Sequence, residues 1–497
     1  MIPQFVVSTL AVLVVVLIAA YGFASGAYAI HLALIAVPVL IYLINHPAVW
    51  MIWIYAFSQS GLIFPGLPQG LQVVHALMAG MVGLQAGRLA IEKIGLGRRR
   101  GATDFFLIAF MGVLIVTAAV RGLGLRALGA ETWGGMSYIR LWIVGSFFLL
   151  TKALELSERQ LVRAIYFMLA MSLLPAIGQI VFLLSGGKIY QQYLFLEAYV
   201  GGLVSSLQAL ETGGPVRLHM LGQVSFTMFM IGAILIERRS IISRALYLGV
   251  ALICVTFSAL SGFRGRILYM LFMLAVLELL RDGEIRFRRL WPVVVFLALL
   301  TPSIYLLSPI LPGSVQRAFS WLPGIEIPWH IRLEATMSTM NRQIVWEMAW
   351  NDVPRYLWIG KGFAINPIEL QSPSVIADWV LFSYLSHNFH NGPLSLLVCT
   401  GIPGFVFGTL FLVSSCIYFA RFLPDVKEFP LIRRAYVFLL ANHIYSVISF
   451  YIVFGDVRES LPPILINLSL MQSILNSVEV EKVAAQRSRR RKIFATF

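Results

Sequence analysis

Three short stretches bring together residue types suited to binding a charged group and moving a proton. The first is Ser-Gly-Phe-Arg-Gly-Arg at residues 261–266, with Ser258 one turn earlier. Its glycines permit a sharp turn and close backbone approach, and the planar forks of Arg264 and Arg266 suit bidentate recognition of phosphate oxygens. Snorkelling to lipid phosphates explains the same two arginines equally well on this turn alone. The second stretch is Asn341-Arg342, with Trp346 one turn on, followed by Gly360-Lys361-Gly362-Phe363. A lone Gly-x-Gly with no strand before it is no dinucleotide site, and the competing reading is an interfacial amphipathic helix with a turn after it.

The third stretch, Ser386 to Gly404, turns from a polar approach holding His387, His390 and Asn391 into an apolar run broken by Gly401, Pro403 and Gly404. Ionisable groups thus sit where the chain enters a membrane, a place where they mark function by default. As a metal pair the histidines lack a third ligand at fixed spacing, although Glu369 or Asp378 could approach in three dimensions. As a general base, an imidazole with a near-neutral pKa suits the proton of a sugar hydroxyl. A structural histidine at an interface is the alternative.

The elements that must position these groups are membrane helices. Of the 497 residues 59% are hydrophobic and 12% charged, and the mean hydropathy is +0.83, which excludes a water-soluble domain of this size. A spanning helix needs about 20 apolar residues, and such runs fall near 5–22, 28–45, 47–64, 71–91, 104–120, 136–154, 161–185, 216–236, 244–260, 264–280, 290–307, 392–420, 432–454 and 461–477. The expected fold is all-α, a polytopic transmembrane bundle of about 12–14 spans with one long outer loop carrying short amphipathic helices. Residues 5–21 lead to Ala27-Tyr28-Ala29, which resembles a signal-peptidase site, but no Lys or Arg precedes the run, so it reads as the first span. Cys254, Cys399 and Cys416 lie in apolar runs and predict no disulfide framework.

The net charge of +15 does not predict nucleic-acid binding, because the basic residues lie in short clusters between apolar runs. With both termini inside, most of the 38 Lys and Arg fall in cytoplasmic segments, including the basic tail 481–497. The exceptions are informative: Arg264, Arg266, Arg317, Arg332, Arg342, Arg355 and Lys361 fall on the outer side. Five of these lie in the loop 308–388, whose six tryptophans suit the headgroup level. Within it, helical spacing of Ile344, Val345, Met348 and Ala349 predicts a helix over 340–353, limited by Pro354, with Arg342 in its first turn. A second outer segment, 186–215, is polar enough to cover a site. Among the polar residues inside spans, Arg140, Gln179 and Gln223, Arg140 is the best candidate because it lies within a turn of the outer interface. Nucleophile-elbow, Walker, zinc-protease and Cys-x-x-Cys motifs do not occur.

Together the three stretches resemble the O-antigen ligase and polysaccharide polymerase superfamily of membrane glycosyltransferases. His390-Asn391, Leu394, Gly401 and Gly404 match its His-Asn-x-x-Leu and Gly-x-x-Gly pattern in register. Ser261 to Gly265 is similar to its Ser-Gly-Ser-Arg-Gly turn, with Phe263 in place of a small residue. Arg342, Trp346, Gly360 and Gly362 resemble its third block. The resemblance covers residues 258–420 as a catalytic core that includes the loop 308–388. Residues 1–257 and 421–480 then supply further spans.

The resemblance implies an inner-membrane enzyme with its site facing the periplasm. It would move a polyprenyl-diphosphate-linked glycan onto an acceptor hydroxyl of a glycan or lipid A-core, with no cofactor, nucleotide sugar or metal. In it, Arg264, Arg342 and His390 are the expected catalytic residues, and Arg266, Asn391, His387 and Arg140 the expected substrate contacts. Membrane lipids and a polysaccharide assembly complex are the expected partners. The alternative is a transporter of the same lipid-linked oligosaccharide, although its polar groups would belong at the bilayer midplane.

Overall fold

The computed structural model describes residues 42–62, 71–92, 101–125, 130–152, 154–175, 177, 219–238, 240–281, 284 and 286–495. The expected span 5–22, nearly all of 28–45, Gln179 and the segment 186–215 lie outside the described residues.

Among the described residues the chain is helical and has no strand. Its helices are α1 (Pro47–Phe57), α2 (Val73–Glu92), α3 (Ala102–Arg121), α4 (Gly135–Thr151), α5 (Glu158–Met171), α6 (His219–Leu235), α7 (Ile241–Leu260), α8 (Arg264–Leu279) and α9 (Trp291–Leu307). The loop region supplies α10 (Gly313–Phe319), α11 (Trp329–Tyr356), α12 (Pro367–Leu370), α13 (Pro373–Ala377) and α14 (Trp379–Leu385). The chain then returns through α15 (Gly392–Arg421), α16 (Pro430–Ile448) and α17 (Val457–Ala495). Among the described residues six segments are long and apolar enough to cross a bilayer: α3, α7, 287–310 around α9, α15, 430–453 around α16, and the first part of α17. The expected all-α polytopic membrane bundle is what the chain forms.

Helix α17 is the axis of the bundle: 94% of its spanning window is buried inside the protein, against 11% for the window around α9. Its buried face carries Asn467, Gln472, Ser473, Asn476 and Ser477. A polar group without water must find a partner, and Asn476 Nδ2 donates to the carbonyls of Thr151 (2.9 Å) and Leu154 (3.1 Å), while Asn467 Nδ2 donates to Leu439 O (2.8 Å). These bonds tie α17 to α4 and α16, the use that buried amides commonly serve between membrane helices.

The loop region docks on one end of this bundle. α10 packs on α7, α8 and α11, and α11 packs on α14 and α15. One expectation is corrected here: the loop helix runs from Trp329 to Tyr356, so Arg342 sits in its middle and Pro354 in its last turn. Polar residues between Arg332 and Thr339 hide the apolar period at its start. That half is held instead by polar contacts, with Arg332 donating to Ile325 O (2.6 Å) and Glu334 paired with Arg317 (3.1 Å).

Candidate functional site

The turn between α7 and α8 uses each of its residues. Ser261 Oγ donates to Ser258 O (2.6 Å) and accepts from the Phe263 N–H (3.4 Å), and Gly262 takes φ 75°, a left-handed geometry that glycine adopts without strain. The helix starts at Arg264, as the expected span 264–280 has it, so Arg264 and Arg266 belong to the first turn of α8. Phe263 caps that helix with no side-chain hydrogen bond, and its first turn holds no acidic residue. The positive end of the helix therefore meets two cations, an unfavourable arrangement that an anion reverses. Arg317 on α10 donates to Gly262 O (3.2 Å) while paired with Glu334 of α11, so the loop region braces this turn.

Helix α11 reaches the histidine stretch directly. Trp346 Nε1 donates to Phe389 O at 2.7 Å, next to His390. Both His387 (φ 57°) and His390 (φ 53°) are left-handed, which is uncommon for residues with a Cβ and clusters where function fixes the backbone. The His390 ring lies parallel to Trp379 (centroids 5.7 Å, 4°) and against Phe454 (4.6 Å). Its Nδ1 is buried with no hydrogen-bond partner. Burial, then the charge of Arg342, pushes its imidazole down to about 4. The ring is thus neutral at physiological pH and close enough to Arg342 to feel its charge. His387 is buried, and burial together with the charges of Arg458 and Lys361 holds it well below the usual histidine range.

The start of α8 comes to the same place from the other side. α16 ends in a π turn, Ser449–Val453, an irregularity frequent at functional sites. A Cβ on Gly265 would stand 3.9 Å from Val453 Cγ1, and the next residue, Phe454, packs on His390. Tyr445 Oη further donates to Gly265 O (3.1 Å). Two consecutive residues therefore separate the Arg264–Arg266 helix start from His390.

The remaining site residues divide. Asn391 caps α15, its side-chain oxygen accepting from the Leu394 N–H (3.1 Å). Arg140 on α4 is buried against the start of α17, donating to the Arg458 carbonyl and to Glu459 (2.9 Å). Asp378, weighed as a metal ligand, caps α14 through the Val380 and Leu381 N–H groups.

The Gly360–Gly362 block forms a joint. α15 is broken at Gly401 (φ 69°, ψ −176°), and the carbonyls freed by the break accept from the turn: Lys361 N–H to Val398 O (2.7 Å), Gly362 N–H to Cys399 O (3.0 Å). Ile402 N–H in turn donates to Leu357 O (2.7 Å). Gly360 lies so close that a Cβ would stand 2.1 Å from Cys399 O. Arg121, at the end of α3, clamps the joint by donating to Gly360 O (2.9 Å) and Ile359 O (3.1 Å). Arg121, Trp379 and the 453–454 pair carry no motif signal, and sequence reasoning passed over their roles; Arg317 was visible only as an unexplained outer charge.

Residues 248–408 match a family model described as O-antigen ligase. This stretch is an O-antigen ligase family domain. It opens in α7, closes in α15 and contains the Ser261–Arg266 turn, all of α11 and the His387–Gly404 stretch. No curated protein matches the chain. The match supports an O-antigen ligase-type activity for this stretch of a multi-helix membrane protein, and the stretch holds Arg264, Arg266, Arg342, Trp379 and His390, while Val453 and Phe454 lie beyond it.

Proposed function

We propose that the protein transfers a glycan from a polyprenyl-diphosphate carrier to the hydroxyl of a glycan or lipid A-core acceptor at the periplasmic face of the bacterial inner membrane. What supports this reading is a neutral His390 that feels the charge of Arg342 and is linked to the Arg264–Arg266 helix start through Phe454 and Val453. In the reaction the bond from the sugar's anomeric carbon to the diphosphate oxygen breaks, a bond to the acceptor oxygen forms, and the diphosphate departs with the electron pair. The leaving group gains charge in the transition state, where preorganised cations act differentially. One charge pair at about 4 Å and an effective dielectric near 20 is worth about 4 kcal/mol before desolvation. Arg264, Arg266 and the N–H groups at the start of α8 hold the diphosphate, and Arg342 adds a positive charge beside the imidazole.

His390 accepts a hydrogen bond from the acceptor hydroxyl and takes its proton as the new bond forms. A pKa near 4 makes the free enzyme's imidazole a weak base. The arriving diphosphate offsets the charge of Arg342, so substrate binding itself raises the basicity of His390. His387 and Asn391 shape the turn that carries His390.

The same chemistry serves a polymerase of repeat units and a ligase. A gel of surface glycan from a deletion strain carrying wild type or His390→Ala at matched membrane levels tests the reading. Loss of the long ladder with single repeats still on their final acceptor identifies a polymerase, and long glycan stranded on the polyprenyl carrier identifies a ligase. A pattern identical to wild type refutes both.

A further inference from the structure

Beside the site, α11 and the first turns of α15 line an open cavity of about 570 Å³, within the range of small-molecule sites. Trp346, Glu347, Trp350 and Asn351 line it from α11, and Asn391, Pro393, Leu394, Leu397 and Phe405 from the side of α15. Asn391 places one end next to His390 in the chain. Arg342, Trp346 and Trp350 recur at four-residue spacing on one face of α11, so the cavity extends along the helix to a point about 12 Å from Arg342 at 1.5 Å per residue.

The lining selects among ligands. Trp350 is 61% exposed, leaving its indole face open, whereas the N–H of Trp346 is occupied by Phe389 O. Among the described residues the carboxylate of Glu347 and the amide of Asn351 have no protein hydrogen-bond partner, and the Asn391 oxygen is engaged by Leu394 while its NH₂ group is left to donate. A diphosphate is disfavoured, because Glu347 is the one ionisable residue lining the cavity. An isoprenoid chain would suit Pro393, Leu394, Leu397 and Phe405 but would take the Glu347 carboxylate and two amides out of water without partners, which is costly. A neutral sugar meets both demands: its C–H face lies on an indole, and its hydroxyls pair with carboxylate and amide.

We propose that this cavity is a binding subsite for a neutral sugar unit of the glycan, next to the unit that reacts at His390. Its identification as part of a glycan path rests on the transfer reading above; the binding itself does not.

The test is saturation-transfer NMR on the full chain in nanodiscs, with methyl glucoside, methyl galactoside, methyl mannoside and methyl glucuronide as probes. The expected result is saturation of the C–H face of at least one neutral hexoside. It weakens about tenfold in Trp350→Ala, as loss of an aromatic platform implies, and persists in Trp350→Phe. Glu347→Lys shifts preference towards the glucuronide, and His390→Ala leaves binding unchanged, which separates this inference from the catalytic reading. In a transfer assay, a raised KM of Trp350→Ala for the acceptor places an acceptor sugar here, and a raised KM for the lipid-linked donor places a donor sugar here. Neutral hexosides that bind Trp350→Ala as well as wild type, or that do not bind at all, overturn the proposal. So does a cavity that takes farnesol in their place.

Discussion

Trp346 donates its indole N–H to the carbonyl of Phe389 at 2.7 Å, and so fixes the distance between the helix that carries Arg342 and the turn that carries His390. One hydrogen bond thereby joins two stretches that lie 43 residues apart. Replacing Trp346 with Phe keeps most of the ring but leaves that carbonyl unpaired, a cost of about 1–3 kcal/mol. The expected result is an inserted, folded protein whose kcat falls about 10- to 100-fold, since small displacements of reacting groups have effects of that order. Transfer kinetics on detergent-purified protein with a matched size-exclusion profile check this.

Arg264→Ala and Arg342→Ala should each abolish transfer without preventing membrane insertion. Arg264→Lys should retain a measurable fraction, because an ammonium keeps the charge but not the fork. Arg317→Ala acts differently. It removes the brace between Gly262 and Glu334 and should lower thermal stability as well as activity. Activity near wild type in the Arg264 or Arg342 alanine variant removes that arginine from the mechanism.

The titration of His390 provides a third test. Its folded-state pKa of about 4 lies below the ordinary 6.5, so the unfolded chain binds the extra proton between these values. This group therefore costs stability as the pH falls from 6.5 to 4, and nothing above 6.5. Diethylpyrocarbonate modifies neutral imidazole. Its reaction at His390, followed by peptide mass spectrometry, should be half-maximal near pH 4 in wild type and move to higher pH in Arg342→Gln. An unchanged profile in that variant would separate the two residues electrostatically.

Gly360→Ala should be among the most damaging substitutions outside the charged groups. The added Cβ would stand 2.1 Å from a backbone oxygen of α15, and the joint at Gly401 would have to open. A loss of about 2 kcal/mol or more is expected, read as a lower thermal transition, whereas Gly324→Ala, with φ 73° but open space around it, should cost less.

The bundle and its family were legible because membrane spans and the order of three motifs are local patterns. Their meeting was not. Nothing in the spacing of Arg264 and His390 shows that Val453 and Phe454, at the end of the α16 span, stand between them. The Gly360–Gly362 block read only as part of the family pattern or as a turn after an interfacial helix, yet its N–H groups serve the carbonyls of Val398 and Cys399, a long-range pairing that no period reveals. The length of α11 was underestimated because its first half is held by Arg317–Glu334 and Arg332–Ile325 contacts rather than by an apolar stripe. Arg140 looked available near an interface, and the residue that occupies it, Glu459, lies 319 positions away.

The most direct test of the central claim uses purified protein in proteoliposomes with a radiolabelled polyprenyl-diphosphate-linked glycan and an acceptor glycan. Wild type should release polyprenyl diphosphate and form the new glycosidic bond, while His390→Ala, at equal incorporation and thermal stability, should do neither at a comparable rate. Transfer by His390→Ala at the wild-type rate, or wild-type movement of the intact lipid-linked glycan across the bilayer with no bond broken, would contradict the account.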